Sequence, residues 1–149
     1  MKKTMGLSLA ALAVCGGINA SAVLAADMPT CTTIVLDQQF LKAYPEAPAA
    51  CQGVAVKNGI NKVHYQAKVT DISKDVVTLT FLNAYKDPVT NGRPLKFTPP
   101  KELELSVNGK KERASDLKKG DVLDFWVPEK MVGFNANPDS TDLIKFILQ

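Results

Sequence analysis

The stretch VHYQAKVTDISKDVVTLTFL, from Val63 to Leu82, decides the fold because apolar and polar side chains alternate on both sides of a short polar break. A period of two is typical of half-buried strands. The break, SKD, predicts a tight turn, and the second half is rich in the β-branched residues that strands favour. The stretch therefore predicts an antiparallel hairpin with one apolar face. That face carries Val63, Tyr65, Ala67 and Val69 in the first half, and Val77, Leu79 and Phe81 in the second.

Between Asn83 and Pro100 the pattern changes, because several Pro and Gly pairs interrupt regular pairing. We predict a long loop there, with one short strand near residues 95–97. ELELSV then resumes the alternation, with Leu103, Leu105 and Val107 on the inner face. The Asn108-Gly109 pair that follows tolerates the positive φ angles of a type I′ turn. Residues 110–113 are the predicted partner strand.

A charged connector follows, in KERASDLKKGD, residues 111–121. Ser115 is predicted to cap a single helical turn, Leu117 to anchor it in the core, and Gly120 to end it in a left-handed conformation.

The next run, VLDFWV, is predicted to be a strand that ends at Pro128. Its alternation puts Leu123, Phe125 and Val127 inward, and Val122, Asp124 and Trp126 outward. The chain closes with DLIKFILQ, for which the same alternation predicts a last strand, buried on much of both faces, with Ile144, Phe146 and Leu148 opposite Leu143, Lys145 and Ile147.

The N-terminus has the features of a signal peptide: MKK, an apolar run, and a small-residue cleavage pattern. We predict residues 1–25 as the signal peptide, with cleavage after Ala25 or, nearly as well, after Ala26. Leu12 to Cys15 also approximates a lipidation motif, although Val14 stands where a smaller residue is required. The apolar run is short for a membrane span, which needs about 20 residues. The sequence thus predicts an exported protein, periplasmic or secreted, without a membrane span.

Cleavage leaves about 124 residues and lowers the formal charge from +3 to +1, because Lys2 and Lys3 are removed. This length suits one domain. We expect residues 26–62 to form a segment packed on a β domain over residues 63–149. The near-neutral charge argues against nucleic-acid binding, and so does the small number of places where basic and aromatic residues are interleaved.

Cysteine counting predicts one disulfide. Once Cys15 is removed with the signal peptide, Cys31 and Cys51 are the pair that remains, and an even pair in an exported chain favours a structural bridge. A redox-active pair is the alternative, against which the long spacing argues.

Residues 63–127 resemble the small exported OB-like or SH3-like barrel domains of bacterial envelope proteins, including domains of unknown function. The resemblance rests on KVTDI, VVTLTF, VNGK and LKKGDVLDFWV. It implies a small antiparallel barrel. The predicted fold is therefore mostly β, a barrel of this kind with short helical turns and, outside the resemblance, a disulfide-tied N-terminal segment. The resemblance implies no particular activity.

The sequence contains no recognisable catalytic motif, and no cofactor is expected. His64 is the only histidine, which argues against a zinc site. DPVTNG and NPDSTD are rich in calcium-ligand residue types, but neither has the spacing of an EF-hand. Because these loops carry carboxylates, an exported enzyme or metal protein that uses them is kept as the alternative hypothesis.

The favoured hypothesis is a binding or accessory module for an envelope protein or glycan, because barrels of this kind present an outer strand face to a partner. Trp126, Asp124 and His64 are the candidate contact residues. An outward tryptophan is a typical contact anchor. The alternative is that the N-terminal segment or the last strand covers Trp126.

Overall fold

The fold is a mostly antiparallel β sheet with a few short helices. The structure, a computed structural model, describes residues 27–89, 93–135 and 142–147. The predicted signal peptide and Cys15 lie outside these residues. The elements, in chain order, are α1 (Gln38–Ala43), α2 (Ala47–Ala50), β1 (Gly53–Lys57), β2 (Ile60–Ser73), β3 (Val76–Leu82), β4 (Leu95–Phe97), β5 (Glu104–Val107), β6 (Lys110–Arg113), a 3-10 turn (Ala114–Asp116), β7 (Val122–Pro128) and α3 (Asp142–Ile147).

Strand β2 is the centre of the sheet, because both of its edges are paired. One edge pairs first with β1, over residues 60–64, and then with β3, over residues 66–73. The other edge pairs with β7 over residues 62–68. The predicted β2–β3 hairpin is confirmed, and its apolar positions are buried on one face.

The predicted Asn-Gly hairpin is also confirmed. Asn108 and Gly109 have φ angles of 51° and 78°, which suit a type I′ turn, and they join β5 to β6. A second Asn-Gly pair, Asn58 and Gly59, makes the same kind of turn between β1 and β2. The short strand predicted near residues 95–97 is β4, which pairs with β3.

The sheet is open, so the predicted closed barrel is wrong. The main strand order is β4-β3-β2-β7-β5-β6, and within the described residues no pairing joins β4 to β6. In a closed barrel, the strands on the opposite side of the barrel would cover the apolar face of the sheet. Here helices cover that face instead, which is the physical reason why the sheet does not close. The Phe40 ring of α1 lies 6.1 Å from the Tyr65 ring, and α3 packs over β7.

The part of the N-terminal segment that precedes β1, residues 31–51, folds onto this apolar face, whereas β1 is a strand of the sheet itself. Asp37 caps α1, since its Oδ1 accepts hydrogen bonds from the backbone N–H groups of Gln39 and Phe40. The predicted disulfide is confirmed between Cys31 and Cys51, whose Cα atoms are 5.8 Å apart. It closes a loop of about 20 residues, and a bridge of that size typically contributes on the order of 3 kcal/mol.

Two local predictions are wrong. Residues 142–147 form the helix α3, because Leu143, Phe146 and Ile147 follow helical spacing and turn together toward the core. Ser115 does not cap the 3-10 turn, which begins after Arg113 with no side-chain cap. Leu117 is buried and Gly120 has a φ of 97°, as predicted.

One continuous core fills the space between sheet and helices. Aromatic rings make up its centre, where Tyr65 and Phe81 have centroids 5.2 Å apart and Tyr65 and Phe125 have centroids 5.9 Å apart. The hydroxyl of Tyr65 is buried with no hydrogen-bond partner in the described part of the chain. Burial raises the pKa of Tyr65, so this phenol stays neutral and serves as a packing group.

The first prediction concerns this core. Phe125→Ala should lower the free energy of unfolding by about 3–5 kcal/mol, because it removes a buried ring and leaves a cavity. Lys118→Ala is the control, since Lys118 is exposed on the connector, and it should change stability by less than about 0.5 kcal/mol. Urea denaturation measures both. Equal losses for the two variants would contradict the assignment of the faces.

A buried carboxyl group lies beside the core. Glu46 is 9% exposed, and within the described residues neither of its carboxylate oxygens has a hydrogen-bond partner. Burial raises the pKa of Glu46 above its ordinary value of 4.5. The backbone N–H groups of Glu46 and Arg93 lie near the carboxylate without forming hydrogen bonds of normal geometry, and together with the Arg93 charge they lower the pKa less than burial raises it.

The second prediction follows from this raised pKa. The folded chain holds the Glu46 proton more tightly than the unfolded chain does. The contribution of this group to the free energy of unfolding is therefore complete below the ordinary carboxyl pKa, and it is lost as the pH rises from that pKa through the raised one. Glu46→Gln should therefore stabilise the protein at pH 7 and lose that advantage near pH 4. Melting temperatures across this range measure the difference. An advantage that is larger at pH 4 than at pH 7 would contradict the prediction.

Candidate functional site

The pairing of β2 with β7 brings the three predicted contact residues together. His64 lies directly opposite Trp126, and Gln66 lies directly opposite Asp124. All four side chains are on the face of the sheet that does not carry the core, which we call the outer face. The sequence predicted the face of each residue, but the contact between them depends on the register of two strands that are far apart in the chain.

Asp124 accepts two hydrogen bonds through the same oxygen. Its Oδ1 lies 2.8 Å from His64 Nε2 and 2.7 Å from Gln66 Nε2. Because a carboxylate only accepts, the proton of this bond is on His64 Nε2. The His64 and Asp124 side chains are 25% and 21% exposed, so the pair is accessible from solvent.

Trp126 forms the aromatic part of the site. Its ring stacks on His64, with 4.8 Å between centroids and 22° between planes. The ammonium of Lys57 lies 3.7 Å from the centroid of the Trp126 ring, close enough for a cation–π contact. Helices α1 and α3 both pack on the opposite face of the sheet. In the described chain, Lys57 and His64 therefore cover Trp126 in part, and neither helix does. Lys57 belongs to residues 26–62, the predicted N-terminal segment.

Two turns bring lysines from outside β2 and β7 to this face. The Asn58-Gly59 turn follows Lys57 directly and fixes where β1 ends. In the loop after β3, the Asn83 Oδ1 atom accepts backbone hydrogen bonds from Tyr85 and Asp87. This turn carries Lys86, whose ammonium donates to Gln66 Oε1.

Two further lysines belong to β2 itself. The register of β2 places Lys62 and Lys68 on the same face as His64. Lys68 is exposed and, with Gln66, Lys86 and Asp124, lines a shallow depression of this face. Lys62 is only 7% exposed, and no hydrogen bond or ion pair to its ammonium group is found within the described residues. We use the term outer patch for the set His64, Gln66, Asp124, Trp126, Lys57, Lys62, Lys68 and Lys86.

Sequence reasoning missed the lysines and Gln66. The signal for Gln66, Lys62 and Lys68 was present, because they continue the same alternation as His64. The signal for Lys57 was the second Asn-Gly pair, which predicts a hairpin between residues 53–57 and 60–64. The position of Lys86 had no sequence signal, since it depends on how the loop folds over the sheet.

Catalysis or metal binding at the outer patch would use His64 and Asp124. Within the described residues, Asp124 is the only hydrogen-bond partner of the His64 ring, so His64 is oriented by a carboxylate and is not hydrogen-bonded to a nucleophile. No group of three or more metal-ligating side chains gathers in the described residues. Of the two stretches considered as calcium loops, NPDSTD lies outside the described residues except for Asp142, and DPVTNG is described only as far as Val89.

No family model matches the chain, and searches of curated proteins and of solved structures found no significant match. A separate search of the described helices found none with the length and apolar character to span a membrane.

The third prediction tests the stack at the centre of this patch. His64→Ala and Trp126→Ala should be coupled by about 0.5–1.5 kcal/mol in a double-mutant cycle, because each ring loses its partner when the other is removed. Urea denaturation of the two single variants and the double variant measures the coupling. Trp126→Ala combined with Thr78→Ala is the control, since Thr78 lies on β3, and this pair should be additive within about 0.5 kcal/mol. Additivity of the His64 and Trp126 changes would contradict the stacked arrangement.

Proposed function

We propose that this chain is an exported binding or accessory module that contacts an envelope protein or glycan through the outer patch. The observation that carries the proposal is the asymmetry of the sheet. Helices cover one face, while the other face presents a connected row of aromatic, charged and amide side chains to solvent.

Burial and accessibility support a contact role for this row. Trp126 is partly exposed, and an ordered, partly exposed tryptophan gains contact area at low entropic cost when a partner covers it. His64 and Lys57 hold the ring in one position before any partner arrives. A surface organised in advance loses less free energy on binding than a flexible one.

The loop after β3 supplies the second part of the proposed contact surface. Its described residues before β4, 83–89, carry Lys86 to the sheet and expose 85% of Tyr85. Lys86 contacts Gln66 of the outer patch. The loop and Trp126 therefore belong to one proposed surface.

The cellular location in this proposal rests on the N-terminal sequence and on the disulfide. A short basic stretch, an apolar run and a small-residue pattern are typical of exported proteins. Disulfides persist mainly in oxidising compartments, and Cys31–Cys51 is consistent with that location. The OB-like or SH3-like type of the sheet stays a prediction. Binding on an outer strand face is typical of such domains.

The fourth prediction tests the contact surface. A photo-crosslinking residue at position 68, on the outer patch, should form one dominant adduct in envelope extract, which mass spectrometry can identify as protein or glycan. The same residue at position 101 is the control, because Lys101 is exposed beside the connector and away from the patch. Trp126→Ala should reduce the adduct at position 68 by at least about fivefold, equivalent to about 1 kcal/mol, in protein that circular dichroism shows to be folded at the temperature of the assay.

Two outcomes would overturn the proposal. One is an equal yield of the same adduct from positions 68 and 101, which would mean that the outer patch has no preference for the partner. The other is an unchanged yield from position 68 when Trp126→Ala is present and the protein is folded.

A further inference from the structure

The outer patch carries an excess of positive charge that the composition of the chain does not reveal. Its four lysines surround one carboxylate, Asp124, while the chain without its predicted signal peptide has a formal charge of only +1. The charges are therefore distributed unevenly over the surface. An open face with several cations attracts anionic ligands and raises their association rate.

Lys62 adds a separate observation. Lys62 is 7% exposed as a whole residue, and the described residues supply no anion to it. Its ammonium group is not among the buried polar atoms that lack a partner, so the aliphatic stem is buried while the charged end reaches solvent. The register of β2 directs that end to the outer face, where it is available to an anion.

Asp124 limits what kind of anion fits. Both hydrogen bonds from described donors end on Oδ1, so Oδ2 is left for a further donor. In a ligand whose anionic groups are closely spaced along its length, some of these groups would lie against the Asp124 carboxylate and be repelled by it. The patch therefore suits a ligand that places a hydroxyl donor at Asp124 and anionic groups at the lysines on either side.

The aromatic residues point to the same ligand chemistry. The C–H face of a sugar ring packs on exposed aromatic surface, and its hydroxyl groups donate to carboxylates. Trp126 is partly exposed next to Asp124, and Tyr85 is 85% exposed on the loop that carries Lys86. A row of sugar rings offers apolar faces, hydroxyl donors and, where the sugars are acidic, spaced carboxylates.

We infer that the outer patch binds an acidic glycan, a chain of sugar units that bear carboxylates. This inference rests on the proposed binding function and names its ligand class. The ligand carboxylates pair with Lys62, Lys68 and Lys86, and a ring hydroxyl donates to Asp124. Lys57 stays beside Trp126 and extends the positive surface along β1.

The test uses Trp126 itself as the probe, because it is the only tryptophan in the chain. A galacturonate oligosaccharide, titrated into the full exported protein, should change the Trp126 emission in a saturable way. The methyl-esterified oligosaccharide has the same sugars without the charges, and it should bind at least about tenfold more weakly. Raising the salt concentration from 0.05 to 0.5 M should also weaken binding to the acidic oligosaccharide, because the lysines are exposed to screening.

Two matched double variants locate the charges. Lys62→Met with Lys68→Ala should reduce the affinity by at least about tenfold, while Lys42→Ala with Lys101→Ala should leave it within about twofold. Both remove two positive charges, but Lys42 lies on α1 and Lys101 lies beside the connector. Circular dichroism and the melting temperature establish that each variant is folded. Lys68→Ala alone, at an exposed site, should weaken binding if Lys62→Met impairs folding.

Three results would overturn the inference. Equal binding of the acidic and esterified oligosaccharides would remove the role of charge. Binding of poly-L-glutamate at least as tight as that of the galacturonate oligosaccharide would point to an acidic protein. The third result is the absence of both an emission change and a calorimetric signal with the acidic oligosaccharide.

The crosslinking experiment separates this inference from the proposal on which it rests. An adduct at position 68 that depends on Trp126, without oligosaccharide binding, would leave the binding module in place and refute the acidic glycan. The absence of both the adduct and oligosaccharide binding would refute both.

Discussion

The two-sided pairing of β2 is the constraint on which the rest of the structure depends. A strand with one buried face must satisfy its backbone hydrogen bonds within the protein, and β2 does so with β1 and β3 along one edge and β7 along the other. Its alternation then fixes two surfaces at once. The side chains of Val63, Tyr65, Ala67 and Val69 form the floor of the core, and the intervening polar side chains form the outer patch. The core and the candidate site are thus opposite sides of the same strand, and a shift of one residue in its register would exchange them.

Sequence reasoning succeeded where a local pattern determines the structure. Alternation located β2, β3, β5 and β7, and the turn chemistry of Asn108-Gly109 located the β5–β6 hairpin. It failed at the ends of the chain, where the runs are short. The residues 142–147 fit a period of two and helical spacing equally well, and packing against the sheet favoured the helix. The helix α1 had a usable signal, since Asp37 precedes Phe40, Ala43 and Tyr44 at helical spacing. The barrel was wrong because alternation predicts strands but not whether a sheet closes on itself.

The candidate site shows the same division between local and non-local information. The outward direction of His64, Asp124 and Trp126 follows from alternation alone. Their mutual contacts require that residue 64 lies opposite residue 126, and nothing in either strand by itself specifies that pairing. The positive character of the patch is also non-local, because its lysines come from the end of β1, from β2 and from the loop after β3. A nearly neutral total charge argued against anionic partners, but an average over the whole chain says little about one face.

The distance in sequence between β2 and β7 has a consequence for how the protein assembles. The β1–β2, β2–β3 and β5–β6 hairpins join neighbouring segments and can form early, whereas His64 and Asp124 are 60 residues apart and meet only when a long loop closes. The two halves of the outer patch therefore remain separate in any partly folded chain that lacks the β2–β7 pairing. The outer patch therefore exists only in molecules whose central sheet is complete.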